Sequence, residues 1–266
     1  MRIKLTAFPC LCADVFTDSL KFYPGGEELN FAMHASKFGE IDVTLMGAIG
    51  KDVYGDAIEK ILIDKRMDTH LIRRIPNRPT ARNITYLTPD GDRYYKDDSW
   101  SGKILDEYRL GDEECDVLKN SDVVFTHYYS ANFEETILLK KEFGFKLAVD
   151  FDIDRNFEKM ESYAPYIDYF MISGAEEYLY IFKEFSEKYP GLFNMTLADK
   201  GSVTYENGNE FRVAAKPVKE IVDTTGCGDS YHAGFVCEHL LSGDILRAMH
   251  RGSQLAAEVL SHLGGF

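Results

Sequence analysis

Residues 223–235, Asp-Thr-Thr-Gly-Cys-Gly-Asp-Ser-Tyr-His-Ala-Gly-Phe, hold the densest chemistry in this chain. Gly226 and Gly228 flank Cys227, Asp229 follows at once, and a helix-like run begins behind them. Glycines permit the tight or left-handed turns in which successive N–H groups converge on one point. The first turn of a following helix adds unsatisfied N–H groups and the positive end of its dipole. Such a nest suits a phosphate, or the charge that develops as a phosphoryl group moves. Asp229, one residue beyond, is placed to take a proton from a hydroxyl attacking the phosphorus in line. On these residues alone a second reading stays open: an isolated Gly-x-Gly-Asp is also a capped helix behind a glycine turn.

Other phosphate motifs are missing. The chain has no G-x-x-x-x-G-K-[ST] loop and no H-R-D or D-F-G set, and its G-x-G lies far from the first strand, which disfavours a dinucleotide fingerprint. The seven histidines show no H-E-x-x-H or H-x-x-E-H spacing, so a metallo-hydrolase has little support.

Bulk composition narrows the class. A chain of 266 residues, 45% hydrophobic and 13% aromatic, has enough material for one large α/β domain. A net charge of −14 opposes nucleic acid and anionic membranes as partners. Five cysteines without a C-x-x-C pair argue against a disulfide framework or a metal at Cys10 and Cys12. No stretch approaches the roughly 18 apolar residues of a membrane span, and the N-terminal residues lack a signal core. A soluble, reducing, cytoplasmic setting is expected.

The elements that must position the motif alternate. Near-continuous apolar runs at 2–8, 43–49, 122–127, 146–151 and 168–173 predict buried strands. Helical patterns fall between them at 27–38, 54–66, 133–142, 158–163 and 175–188, giving an α/β fold with right-handed crossovers. Two segments break the rhythm. Residues 80–97 read as a hairpin around Pro89-Asp90-Gly91-Asp92, and 14–26 is short and extended; together they predict a small attached sheet, serving as a lid, a dimer contact or neither. Residues 196–215 predict short strands about an Asn207-Gly208 turn. Two helices follow, separated by Ser242-Gly243-Asp244, with Asp244 as N-cap.

With those elements in place, residues 223–235 resemble the C-terminal signature of the PfkB (ribokinase-like) sugar kinases, D-T-x-G-A-G-D. The resemblance spans nearly the whole chain. "PGGEELNFAMHASKFG" (24–39) is similar to the family's GG-x-x-x-N segment and helix, "MGAIGKDVYGDAI" (46–58) to its G-x-x-G-x-D-x-x-G element, and "TLADKG" (196–201) to its T-L-G-x-x-G nucleotide segment. The resemblance implies a single kinase domain over 1–266, with a Rossmann-like three-layer α/β/α core, a mostly parallel sheet and lid segments at about 14–26 and 80–97. It implies ATP-dependent phosphorylation of a sugar, with Asp229 as base and the N–H groups of Gly226, Cys227 and Gly228 as anion hole. Asp14, Gly25, Gly26 and Asn30 would bind sugar hydroxyls, and Arg93 would close over the sugar or its phosphate. Thr196 and Gly201 would line the nucleotide. Glu176 would help hold hydrated Mg2+, and Asp223 and Thr225 lie where some members bind a monovalent cation such as K+.

Within the family, "CADVF" and "GGEELN" are closest to the fructoselysine 6-kinase type, implying fructoselysine or a related ketose as substrate. Kinases of 2-keto-3-deoxygluconate, fructose or nucleosides are the alternatives, and a small sugar or sugar-amine is the expected partner, with a homodimer formed through the lid. Three positions depart from the pattern: Cys227 stands for alanine, Ser173 for the asparagine of N-x-x-E, and Ala198 for a glycine. The last two keep open a catalytically silent sugar- or nucleotide-binding regulator, whereas the intact Asp229 favours an enzyme.

Overall fold

Strands apolar on both faces must be covered on both faces, and the computed structural model of the chain meets that demand. It describes residues 2–17, 20–88 and 93–266, so the expected turn at 89–92 lies outside the described residues. In chain order the strands are β1 (Ile3–Ala7), β2 (Cys12–Phe16), β3 (Lys21–Gly25), β4 (Ile41–Leu45), β5 (Gly47–Gly50), β6 (Ile72–Ile75), β7 (Ala81–Leu87), β8 (Arg93–Tyr95), β9 (Val123–His127), β10 (Lys146–Asp150), β11 (Tyr169–Ser173), β12 (Leu192–Thr196), β13 (Ser202–Glu206) and β14 (Asn209–Val213). The helices are α1 (Glu27–Ala35), α2 (Val53–Asp64), α3 (Lys103–Asp106), α4 (Asp112–Lys119), α5 (Phe133–Phe143), α6 (Phe157–Tyr163), α7 (Leu179–Lys188), α8 (Cys227–Ser242) and α9 (Ile245–Val259).

The main sheet runs β14-β13-β12-β11-β10-β9-β1-β4, parallel from β12 to β4, with the β12–β13–β14 edge antiparallel. Side chains alternate strictly across it. Leu147, Val149, Phe170 and Ile172 enter one core with Phe133, Phe182 and Phe193; Val123, Phe125, Ala148 and Met171 enter the other with Leu29, Phe31 and Phe235. Each fully buried Phe or Leu contributes roughly 1.5–3 kcal/mol. These two cores are the seams of the α/β/α sandwich that the sequence predicts.

A second, small sheet has the order β3-β2-β7-β8. Its β2–β3 and β7–β8 pairs are antiparallel, and β2 pairs in parallel with β7. Both segments that break the α/β rhythm therefore join one sheet. Asp52, in the 46–58 motif, anchors it: one carboxylate oxygen caps α2 through Gly55 N–H (2.9 Å), and the other accepts Thr80 N–H (2.8 Å) just ahead of β7.

The structure corrects several boundaries. The run at 43–49 is not one strand; it divides into β4 and β5, which belong to different sheets. Just past the break the chain passes close to the β1–β2 connection, where a side chain at Gly47 would press on Leu11 and the Pro9 carbonyl. The helix expected at 175–188 opens as a short 3-10 turn over 176–178 before α7. The expectation also passed over α3, α4 and β6, whose sequences are short or highly charged.

Helices α8 and α9 are separated by Gly243 in the left-handed region (φ 68), and Asp244 caps α9 by accepting Arg247 N–H (3.0 Å), as expected. Helix α8 is apolar nearly all round and packs tightly. A Cβ on its Gly234 would lie 2.8 Å from Gly252 Cα, so the two helices meet backbone to backbone. Ala198, the departure from T-L-G, holds φ 51, a left-handed conformation that costs an L-residue roughly 1–2 kcal/mol. Ala198→Gly is therefore expected to raise unfolding stability by about 1 kcal/mol after the entropy of the more flexible glycine is allowed for, as read by denaturant titration.

Candidate active site

The N-terminus of α8 faces a cavity of about 700 Å3 between the carboxyl ends of the main-sheet strands and one face of the small sheet. Gly226 is its N-cap, in the left-handed region (φ 74). No other residue fits there: a Cβ would lie 2.5 Å from Gly265 Cα and 3.2 Å from Asn30 Nδ2. The intrahelical ladder starts at Ser230 N–H, which donates to the Gly226 carbonyl (2.9 Å). Of the donors expected to form an anion hole, Cys227 N–H is turned to the Thr224 carbonyl (3.2 Å). The Gly228 and Asp229 N–H groups precede the ladder and stand at the positive end of the helix.

Asp223 fixes this loop. Its carboxylate is fully buried and accepts Thr225 N–H (2.8 Å), Thr225 Oγ1–H (2.6 Å) and Gly264 N–H (2.9 Å). Burial pushes His34 down to about 4, leaving it neutral. Its Nε2–H donates to the Gly265 carbonyl at 2.8 Å. Residues 264 and 265 thus wedge between Asn30 and the loop, a closure that the blunt His-Leu-Gly-Gly-Phe sequence does not announce.

Asp229 enters the cavity and accepts a hydrogen bond from Asn30 Nδ2 (2.8 Å). Burial raises its carboxyl to about 7 against the pull of Asn30, with the Asp150 charge adding to the rise and His232 and Arg93 opposing it. A base with that proton affinity at neutral pH is matched to taking a proton from an alcohol. Asp150 ends β10 and lies 3.0 Å from His232 Nδ1, one turn beyond Asp229 on α8, with both side chains buried.

The small sheet supplies the opposite wall. Cys12, Asp14, Asn83, Arg93 and Tyr95 all line the cavity. Asp14 is buried and accepts Thr85 Oγ1–H (3.3 Å); burial raises its carboxyl, while Arg93 and Thr85 lower it. The Arg93 guanidinium lies over the Tyr95 ring and donates to its hydroxyl. Arg93 N–H donates to Thr224 Oγ1 (3.1 Å), which ties the small sheet directly to the glycine loop.

Asp14, Gly26, Asn30, Arg93, Gly226, Cys227, Gly228 and Asp229 are therefore brought together from segments spread over the chain. Gly25 stands behind Asp14, where a Cβ would come within 2.6 Å of Asp14 Oδ2. Asp223 and Thr225 lie beneath the loop, engaged with each other and with Gly264. Thr196 adjoins the cavity through Ser173, 3.2 Å from its hydroxyl, and Gly201 (φ 91) turns β12 into β13. Glu176 is on the surface, paired with Lys200 (2.7 Å) and Arg212 (3.3 Å). Burial, and then the Asp229 charge, raise the Cys227 thiol to about 11, so it is protonated and unreactive at neutral pH.

Sequence reasoning missed His127, Asp150, Asp152 and Glu27, which also line the cavity. A signal was present: His127 ends the predicted strand 122–127 and Asp150 is the penultimate residue of 146–151, at the strand ends where open α/β sheets place their sites. Among the described residues, Glu27, Glu28 and His127 are the one group with metal-compatible spacing, and Glu28 and His127 are bonded to each other at 2.7 Å.

A glycine nest, a buried carboxylate and a polar cavity at the strand ends define a phosphotransferase with an alcohol as acceptor. The model of the pfkB family carbohydrate kinases matches residues 14–131 and 170–265, and the chain belongs to that family. It is a sugar kinase. Fructoselysine 6-kinase of Shigella flexneri is 24% identical over 262 residues, covering 96% of each chain. Fructosamine kinase FrlD of Bacillus subtilis is 27% identical, covering 99% of this chain and 93% of the relative. The fold matches Arabidopsis thaliana ribokinase complexed with ribose and ATP at a TM-score of 0.80, with 17% identity, 99% of this chain and 94% of that one. Among the described residues no helix is long and apolar enough to cross a membrane.

Asn30 stabilises the ionised form of Asp229, so Asn30→Leu is expected to raise its proton affinity. The acidic inflection of kcat/KM should move up by about one to two pH units, the worth of one hydrogen bond to a charged group. A pH–rate profile of the variant checks this.

Proposed function

We propose that this chain transfers the γ-phosphoryl group of ATP to a hydroxyl of a sugar amine, with fructoselysine or a related fructosamine as its substrate. The observation that carries the reading is Asp229: a carboxylate raised to about 7, at the N-terminus of α8, inside the cavity. Sugar hydroxyls would pair with Asp14 and Asn30, beside the close backbone of Gly26. The substrate hydroxyl would give its proton to Asp229 as it attacks the phosphorus, and the first-turn N–H groups of α8 would meet the charge that develops. Alignment and electrostatics, with no covalent intermediate, supply the rate. The small sheet, bonded to Thr224 through Arg93, would act as the lid that keeps water from the phosphate.

The cavity wall supports an amine-bearing substrate. Asp14, Glu27, Asp106, Asp150 and Asp152 all line it, facing Arg93 and His127 as cations. This excess of carboxylates favours an ammonium group and disfavours an acidic sugar such as 2-keto-3-deoxygluconate. The names of the curated relatives point the same way. Mg2+ would accompany the nucleotide phosphates and offset the acidic field. Glu176 has its oxygens paired with Lys200 and Arg212, and Asp223 has its oxygens bonded within the loop, so no step is assigned to either.

ATP consumption measured with fructoselysine, fructose, 2-keto-3-deoxygluconate and a nucleoside tests the reading, and fructoselysine is expected to give the highest kcat/KM. Asp229→Asn should lower kcat by about 10²–10⁴; wild-type turnover in that variant would remove Asp229 as base. The carboxyl must lose its proton to act as base. Activity should therefore be low at acidic pH and rise through about 7. A rate independent of pH between 5.5 and 8.5, about 1.5 units either side, would contradict that role.

A further inference from the structure

Glu28 is a fully buried carboxylate on α1, and its partners explain its burial. One oxygen accepts Cys10 N–H (3.0 Å); the other accepts both His127 N–H (2.8 Å) and His127 Nδ1–H (2.7 Å). The imidazole at the carboxyl end of β9 is thereby fixed in orientation and tautomer, as a buried charge pair with added hydrogen bonds must be. Its other nitrogen, Nε2, makes no hydrogen bond to the protein among the described residues, and His127 lines the cavity. The neighbouring Glu27 also lines it. Glu27 Oε2 lies 3.7 Å from His127 Nδ1 and, among the described residues, is a buried atom with no hydrogen-bond partner.

Burial by itself would push His127 down, but Glu28 and Glu27 outweigh it and hold the ring well above its usual range. Arg93, Asp14, Asp106, Asp150, Asp152 and Asp229 are the further charged groups lining the same cavity. A protonated imidazole whose Nδ1 is committed has one donor left to offer. The adjacent Glu27 offers an acceptor.

We propose that His127, held by Glu28, is a substrate-binding residue of this cavity: its Nε2–H donates to an oxygen of the sugar while Glu27 accepts from a neighbouring hydroxyl or ammonium group. The pair therefore selects substrates that present an acceptor and a donor side by side, as a polyhydroxylated sugar or sugar amine does. The Glu28–His127 dyad makes this a specificity device, because it fixes the donor before substrate arrives and spares the cost of ordering it. The inference rests on the sugar-kinase reading of the same cavity.

His127→Gln puts a neutral side chain of related length in place of the fixed charge. Its KM for fructoselysine should rise by about tenfold or more, with kcat within about threefold of wild type and KM for ATP unchanged, the signature of lost substrate binding. A variant that phosphorylates the sugar with wild-type KM would overturn the assignment while leaving the kinase reading intact. Absence of turnover by the wild-type protein on every sugar tested would instead overturn the kinase reading and this assignment with it. A second measurement does not depend on the variant's folding. In protein labelled with 15N-histidine, His127 should show both ring N–H groups at neutral pH, and its Nε2 resonance should move on addition of D-fructose or fructoselysine but not of ATP. Sugar-dependent shifts elsewhere in the cavity with His127 unmoved would equally overturn it.

Discussion

The site depends on one buried carboxylate that does no chemistry. Asp223 is fully buried, and such a group persists only where its oxygens are satisfied. Thr225 and Gly264 meet that requirement, and in doing so they set the entry of the chain into α8. Gly226 then turns through the left-handed region, and Asp229 arrives beside Asn30. Each later placement assumes the earlier one. The backbone contact of Gly234 with Gly252 holds the helix itself, so Asp229 stands on a rigid element.

Charge is the second organising theme. The chain carries −14 overall, and its cavity concentrates carboxylates around a helix N-terminus that attracts anions. Those tendencies oppose one another, and named cations mediate between them. Arg93 reaches in from the small sheet, His127 is held by Glu28, and His232 lies against Asp150. The raised proton affinity of Asp229 follows from the same balance: burial and Asp150 lift it, whereas Asn30, His232 and Arg93 restrain it. Catalytic tuning and cavity charge are thus one electrostatic problem.

The layered fold was legible because parallel strands buried on both faces write themselves as continuous apolar runs. The lining of the cavity was legible where glycines and acids fall in motifs, as at Asp14, Gly26, Asn30 and 226–229. Boundaries were less so. The division of one apolar run into β4 and β5, which join different sheets, has no local signature in the sequence. His127 and Glu28 escaped notice because they are 99 residues apart and belong to no motif. Cys227 shows the reverse case. Its thiol stands out in the sequence, but in the fold it is a protonated group facing the Ala256 carbonyl.

Residues 264 and 265 give the site an unusual dependence on assembly order. The hydrogen bond from Asn30 to Asp229 spans 199 positions, and that from His34 to Gly265 spans 231. Contacts of such separation are entropically late, formed after the local helices and neighbouring strands. The lock on the glycine loop therefore couples segments near residues 30 and 265, and neither holds Asp229 alone. The geometry of the cavity is complete only where these distant segments meet.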